Sequence, residues 1–228
     1  MSKEVKQQMC ELTPSELGQQ LFKPIGDKGK LVGENMNISN NYIYSMTCQL
    51  VDFRDNDKVL EIGFGNGKFF SKYFDKNPNI QIYGIDFSDV MCSEATLINQ
   101  TYIDKNLLQI KCEDSLKTRF ENNFFDTIIS INTIYFWDSI DEQIEEISRI
   151  LKYNGKLLLG IRPKSIMEKL PFTKEVFKLF DSIEVIELFE KHNFRFVDEK
   201  IENISRKSAD GKEVDSIDIC ILLEKYRK

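Results

Sequence analysis

Val59-Leu60-Glu61-Ile62-Gly63-Phe64-Gly65-Asn66-Gly67-Lys68-Phe69 is the stretch whose reading decides the fold. Two apolar residues lead into an acid, three glycines stand at alternate positions, and an apolar run restarts after them. Val-Leu-Glu-Ile reads as a short buried strand and Lys68 onward as a helix, with a turn between them. Only glycine makes such a turn cheaply, because it accepts φ > 0 and has no Cβ to hold a ligand off the backbone. The helix that follows offers unpaired N–H groups to whatever occupies the turn.

Two ligand classes use a strand–glycine–helix turn, and spacing separates them. The dinucleotide fingerprint runs G-x-G-x-x-G, whereas this chain has G-x-G-x-G preceded by Glu61. That pattern resembles motif I of the class I S-adenosylmethionine (SAM) dependent methyltransferases. A nicotinamide oxidoreductase is the rival enzyme class, and the spacing disfavours it.

The 228 residues suit one α/β domain with embellishments. Hydrophobic and charged fractions of 41% and 30% are globular values. A net charge of −6 argues against a nucleic-acid backbone as main partner, so no nucleic acid is expected. No apolar run approaches the roughly 18 residues of a membrane span. The polar N-terminus lacks a signal-peptide core, which predicts a cytoplasmic protein. Five cysteines (Cys10, Cys48, Cys92, Cys112, Cys220) include no C-x-x-C pair, so reduced thiols are expected and no metal site. Monomer and homodimer both remain open.

Residues 1–56 precede the first strand and read as a helical extension, either packing or a lid. Thr13-Pro14-Ser15-Glu16 starts a short helix, broken by Leu21 to Gly26. Lys30–Asn37 and Asn40–Phe53 read as helical, the second with Ile43, Met46, Leu50 and Phe53 on one face. From 57 to 228 short apolar runs alternate with helices. Strands are predicted over 80–85, 107–112, 126–131 and 156–161, with helices over Asp89–Tyr102 and along Ile140, Ile144, Ile147 and Leu151. Such alternation means parallel strands with helices on both faces. Helix Lys174–Lys191 then leads to a strand near Arg195–Ile201, a turn at Ala209–Lys212 and a last strand at Asp215–Leu223. A hairpin reverses the last strand. The prediction is a Rossmann-like three-layer α/β sandwich: a seven-stranded, mostly parallel sheet with the last strand antiparallel.

In open α/β sheets ligands sit beyond the C-terminal strand ends. Asp86 follows strand two, nineteen positions beyond Gly67, where a carboxylate can accept from both hydroxyls of a ribose. Cys112-Glu113-Asp114-Ser115 follows strand three, and Asn132-Thr133-Ile134-Tyr135-Phe136-Trp137 follows strand four. With Leu31-Val-Gly-x-x-Met36, this last run is similar to small-molecule methyltransferases related to the ubiquinone and menaquinone biosynthesis enzymes. The similarity spans residue 20 to the last strand.

The resemblance implies SAM as cofactor, S-adenosylhomocysteine as product, and a small-molecule acceptor. It implies that Gly63, Gly65 and Gly67 shape the methionine-side turn with Glu61 in support, while Asp86 holds the ribose. Phe87 packs on adenine, Asp114 and Ser115 read its edge (Glu113 being the alternative acid), and Asn132 lines the methionine end. Acceptor contacts are expected from the 30–44 segment with Tyr44, from Tyr135 to Trp137, and from Pro171-Phe172-Thr173. The three aromatics have core packing as an equal alternative. Asn132 to Tyr135 lacks both prolines of the N-P-P-Y motif of amino-group methyltransferases, which disfavours that subgroup. The single histidine, His192, lies at a helix end away from the strand ends, so no catalytic base is assigned. A non-catalytic SAM-binding protein on the same fold is the remaining rival.

Overall fold

A computed structural model describes residues 12–207 and 213–227. The expected turn at Ala209–Lys212, Cys10 and the polar N-terminus lie outside these described residues.

Three helices precede the sheet: α1 (Pro14–Phe22), α2 (Gly26–Ser39) and α3 (Asn41–Leu50). Thr13 caps α1 reciprocally. Its hydroxyl accepts from the Glu16 N–H, and the Glu16 carboxylate accepts from the Thr13 N–H at 2.9 Å. α3 stops at Leu50, where Val51 turns extended (ψ 138°), so Phe53 is buried beyond the helix rather than on it as expected.

Then follow β1 (Lys58–Ile62), α4 (Phe70–Lys76), β2 (Gln81–Asp86), α5 (Asp89–Ile98), α6 (Gln100–Asp104), β3 (Leu108–Cys112), β4 (Phe125–Ile131), α7 (Ile140–Ile150) and β5 (Leu151–Ile161). The chain ends with α8 (Lys164–Met167), α9 (Ser182–Glu190), β6 (Phe194–Lys207) and β7 (Glu213–Lys225). The sheet order is β3-β2-β1-β4-β5-β7-β6. β1 to β5 pair in parallel, and β7 runs antiparallel to both β5 and β6. This is the seven-stranded sheet with a reversed last strand that the sequence predicts.

Alternation along each strand feeds two cores. Leu60 and Ile62 face α7 and α9, while Val59 packs among residues of α3, α4 and α5. Glu61 points to the second side and is 1% exposed.

Four boundaries differ from expectation. Lys68 is not yet helical: α4 begins at Phe70, after a turn through Gly67 to Phe69. The predicted helix Asp89–Tyr102 breaks at Asn99, whose Nδ2 donates to the Gly67 carbonyl at 3.0 Å. The predicted helix Lys174–Lys191 is helical only over Ser182–Glu190. Its first half bonds elsewhere: the Lys178 N–H donates to the Tyr135 carbonyl and the Phe180 carbonyl accepts from Lys164. Asn154-Gly155, expected to turn into strand five, lies instead within β5, where the register to β4 shifts between Phe125 and Thr127.

Candidate active site

The glycine turn joins β1 to α4 with Gly63 at φ +71° and Gly67 at φ +68°. A Cβ on Gly63 would stand 2.4 Å from Thr133 Cγ2, and one on Gly67 would stand 2.8 Å from Ala95 Cβ. Backbone conformation and space therefore both demand glycine here. The first glycine admits the segment after β4, and the third admits α5.

Asp86, last residue of β2, is 9% exposed and bridges two backbones. Its Oδ2 accepts from the Gly65 N–H at 3.0 Å and its Oδ1 from the Ser88 N–H at 2.9 Å. Burial nevertheless pushes its carboxyl up to about 6, against these backbone donors. Ser88 caps α5 and donates to the Pro24 carbonyl at 2.5 Å, tying the α1–α2 junction over this strand end.

Below the turn, the Tyr44 hydroxyl donates to the Glu61 carboxylate at 2.5 Å, and the Tyr44 ring stacks on Phe69 at 3.8 Å. Burial raises the Glu61 carboxyl to about 7, with the hydrogen bond from Tyr44 opposing it. Glu61 thus fastens α3 to β1 beneath the cleft.

Asn132, just after β4, adopts φ +57°, a region Asn tolerates better than most residues. Its Nδ2 donates to Asn40 Oδ1 at 3.2 Å. The same oxygen accepts from the Arg162 guanidinium at 2.9 Å, whose Nε donates to the fully buried Asp218 at 3.0 Å. A third Arg162 bond reaches the Ser39 carbonyl at 2.9 Å. This network clamps the α2–α3 junction onto the ends of β4 and β5. Sequence reasoning named the 30–44 segment without singling out Asn40, and it missed Arg162 and Asp218. Arg162 was within reach, since it stands immediately after β5 at a C-terminal strand end.

These elements surround a cavity of about 210 Å³ at the C-terminal ends of β1 to β4. Of the predicted residues, Gly63, Gly65, Asp86, Phe87, Asp114, Ser115, Asn132, Tyr44 and Trp137 line it. Gly67 and Glu61 do not line it; they act behind it, in helix packing and in the Tyr44 bond. Tyr135 takes the core-packing alternative: it is 1% exposed, with its hydroxyl accepting from the Arg162 N–H, while its expected neighbours Phe136 and Trp137 line the cavity. Pro171 to Thr173 is a correction, because this turn packs behind α1: a Cβ on Gly18 would be 2.5 Å from the Phe172 carbonyl oxygen. Asp114 Oδ1 accepts from the Leu116 N–H at 2.9 Å, whereas Glu113 Oε1 is buried with no hydrogen-bond partner. His192 sits at the opposite end of the sheet, 3.0 Å from Asp141.

Residues 60–159 match the methyltransferase domain family model. This domain match, under half of the chain, together with the methyltransferase relatives, supports a class I SAM-dependent methyltransferase. An uncharacterized methyltransferase of Bacillus subtilis, YdaC, is 26% identical over 135 residues, covering 59% of this chain and 72% of that protein. The tRNA (carboxymethyluridine(34)-5-O)-methyltransferase of Saccharomyces cerevisiae is 36% identical over 92 residues, covering 40% of this chain but only 29% of that protein. In fold, the chain resembles the phosphoethanolamine N-methyltransferase 2 of Haemonchus contortus solved with S-adenosylhomocysteine (TM-score 0.69, 15% identity, 95% of this chain and 61% of that one). The cofactor of this methyltransferase is SAM, and the cleft fits it: a glycine cradle that a Cβ would fill, with a carboxylate at the end of β2. The tRNA-modifying relative removes the ground for excluding nucleic acid on net charge alone. No helix among the described residues is long and apolar enough to cross a membrane.

Proposed function

We propose that the protein transfers the methyl group of SAM to a small-molecule acceptor. The observation that carries this reading is that one cavity gathers the glycine turn, Asp86, Phe87, Asp114, Ser115 and Asn132 from four strand ends. In this reading Asp86 accepts from the ribose hydroxyls, Phe87 covers the adenine, and Asp114 with Ser115 reads its edge. Gly63 and Gly65 let the backbone approach the methionine portion, whose far end meets Asn132. Glu61 and Tyr44 hold the turn from below. The cofactor supplies a methyl group already on a good leaving group, so the protein's task is in-line placement and exclusion of water. The helical segment within residues 1–56 serves as the lid, fastened through the Ser88–Pro24 bond and the Arg162 clamp. Phe136 and Trp137, which also line the cavity, are left for the acceptor.

Calorimetric titration with S-adenosylhomocysteine, with NADH and NADPH as controls, tests the cofactor assignment. Micromolar binding of the homocysteine product alone is expected, and no binding by folded protein refutes the reading. The tRNA-modifying relative favours one other reading, an RNA acceptor. Incubation with methyl-tritiated SAM plus either bulk tRNA or a metabolite extract separates the two, since label should enter the small-molecule fraction.

A further inference from the structure

We propose that the acceptor presents no phosphate or carboxylate to the cavity, and is a neutral or cationic molecule with an apolar or aromatic body. This rests on the methyltransferase reading above and narrows its substrate class. Among the described residues, the lining contains no lysine, arginine or histidine; of its four acids, Asp86, Glu113 and Asp114 stand at the strand ends given to the cofactor, and Asp138 is left for the acceptor. The lining away from those strand ends is otherwise largely apolar or amide, with Leu21, Phe22, Phe136, Trp137 and Asn37.

Cations do stand nearby, and each is turned to other work. Lys23 lies 5.1 Å from the centroid of the Phe87 ring, outside the lining. Lys178 donates to the carbonyls of Trp137 and Asp138 at 2.8 and 2.9 Å. Arg162 is committed to Asp218, Ser39 and Asn40. An anionic group on the acceptor would lose water and gain no cationic side chain from the lining, while meeting the Asp138 carboxylate at the rim. A donor group meets the reverse situation, with the Asp138 carboxylate and the Asn37 amide of the lining able to accept from it.

The test uses three ring-matched probes, tyramine, tyrosol and 4-hydroxyphenylacetate, which are cationic, neutral and anionic near neutral pH. Each is titrated by saturation-transfer NMR against protein saturated with S-adenosylhomocysteine. Protein that fails to bind S-adenosylhomocysteine refutes the methyltransferase reading itself, before any probe is added, and this proposal with it. Given a loaded protein, tyramine and tyrosol should bind at least about tenfold tighter than the anion. Equal or tighter binding of 4-hydroxyphenylacetate overturns the proposal, as does no binding by any of the three. Displacement of tyramine by bulk tRNA overturns it as well, since a polyanion would then occupy the cavity. Asp138→Lys, which places a cation at the exposed rim, should narrow the tyramine-to-anion ratio at least about threefold at low ionic strength. A ratio that does not move assigns the preference to something other than charge and refutes the account.

Discussion

The cofactor side and the acceptor side of the cleft are assembled differently. The first is made of consecutive strand ends: the glycine turn after β1, Asp86 at the end of β2, and Asp114-Ser115 after β3. Each of these lies within a few residues of a strand whose apolar run is visible in the chain. The second side is built from segments remote in sequence, with Asn40 meeting Asn132 across 92 positions and Arg162 across 122. Local chemistry specifies the first side, and long-range pairing specifies the second. The two sides should therefore respond differently to substitution.

The largest effect is expected at the clamp. Arg162→Leu leaves the carboxylate of Asp218, 0% exposed, without its guanidinium. Denaturant unfolding should show a loss of about 3–5 kcal/mol, the range for removing one partner of a buried ion pair. A stability unchanged by Arg162→Leu would mean that the acceptor side does not depend on this long-range pair.

Next comes Asp86→Ala, which removes charge-assisted hydrogen bonds from the cofactor side. S-adenosylhomocysteine binding should weaken by about 1.5–3 kcal/mol in calorimetry. An unchanged affinity would remove Asp86 from the ribose role. The same residue predicts a pH profile. Its carboxyl is raised to about 6 in the free protein, and ribose hydroxyls donate to the ionised form. Binding should therefore release protons, and affinity should fall as pH drops through about 6 while staying level above it. Asp86→Asn should flatten that profile.

Tyr44→Phe probes the contact below the turn. It deprives the buried Glu61 carboxylate of a donor and should cost about 1–3 kcal/mol of stability at pH values where Glu61 is ionised. Because burial raises Glu61 to about 7, the folded chain holds this proton more tightly than the unfolded one does. The Glu61 contribution to stability thus decreases as pH rises from the ordinary carboxylate range toward 7. The Tyr44→Phe penalty should accordingly shrink below that pH. The smallest effect belongs to His192→Ala, which removes a hydrogen bond with an Asp141 that is 76% exposed. Stability should shift by no more than about 0.5 kcal/mol, with methyl transfer unaffected. A large fall in turnover would reopen the question of a catalytic base.

Much of the fold was legible because strands announce themselves through apolar runs and the glycine turn through its spacing. The reading failed where tertiary bonds overrode helical pattern. Residues 174–181 look helical alone, yet the Lys178 N–H is drawn to the Tyr135 carbonyl. Asn99 ends α5 early because its amide serves the Gly67 carbonyl. Tyr135 and Phe136 are adjacent, and only the packing of the turn after β4 decides which ring is buried and which lines the cavity.

By itself the sequence determined the strand–glycine–helix unit, the acids at the strand ends, the reversed last strand and hence the cofactor class. All of these follow from residue type and short spacing, which backbone sterics and hydrogen-bonding capacity translate directly into structure. Only the tertiary structure decided that Glu61 is held by Tyr44, that Arg162 clamps Asn40 above Asp218, and that, among the described residues, Lys23, Lys178 and Arg162 stay out of the cavity lining. Those outcomes depend on which distant side chains share a buried space, and their energies arise only once the sheet has brought them together.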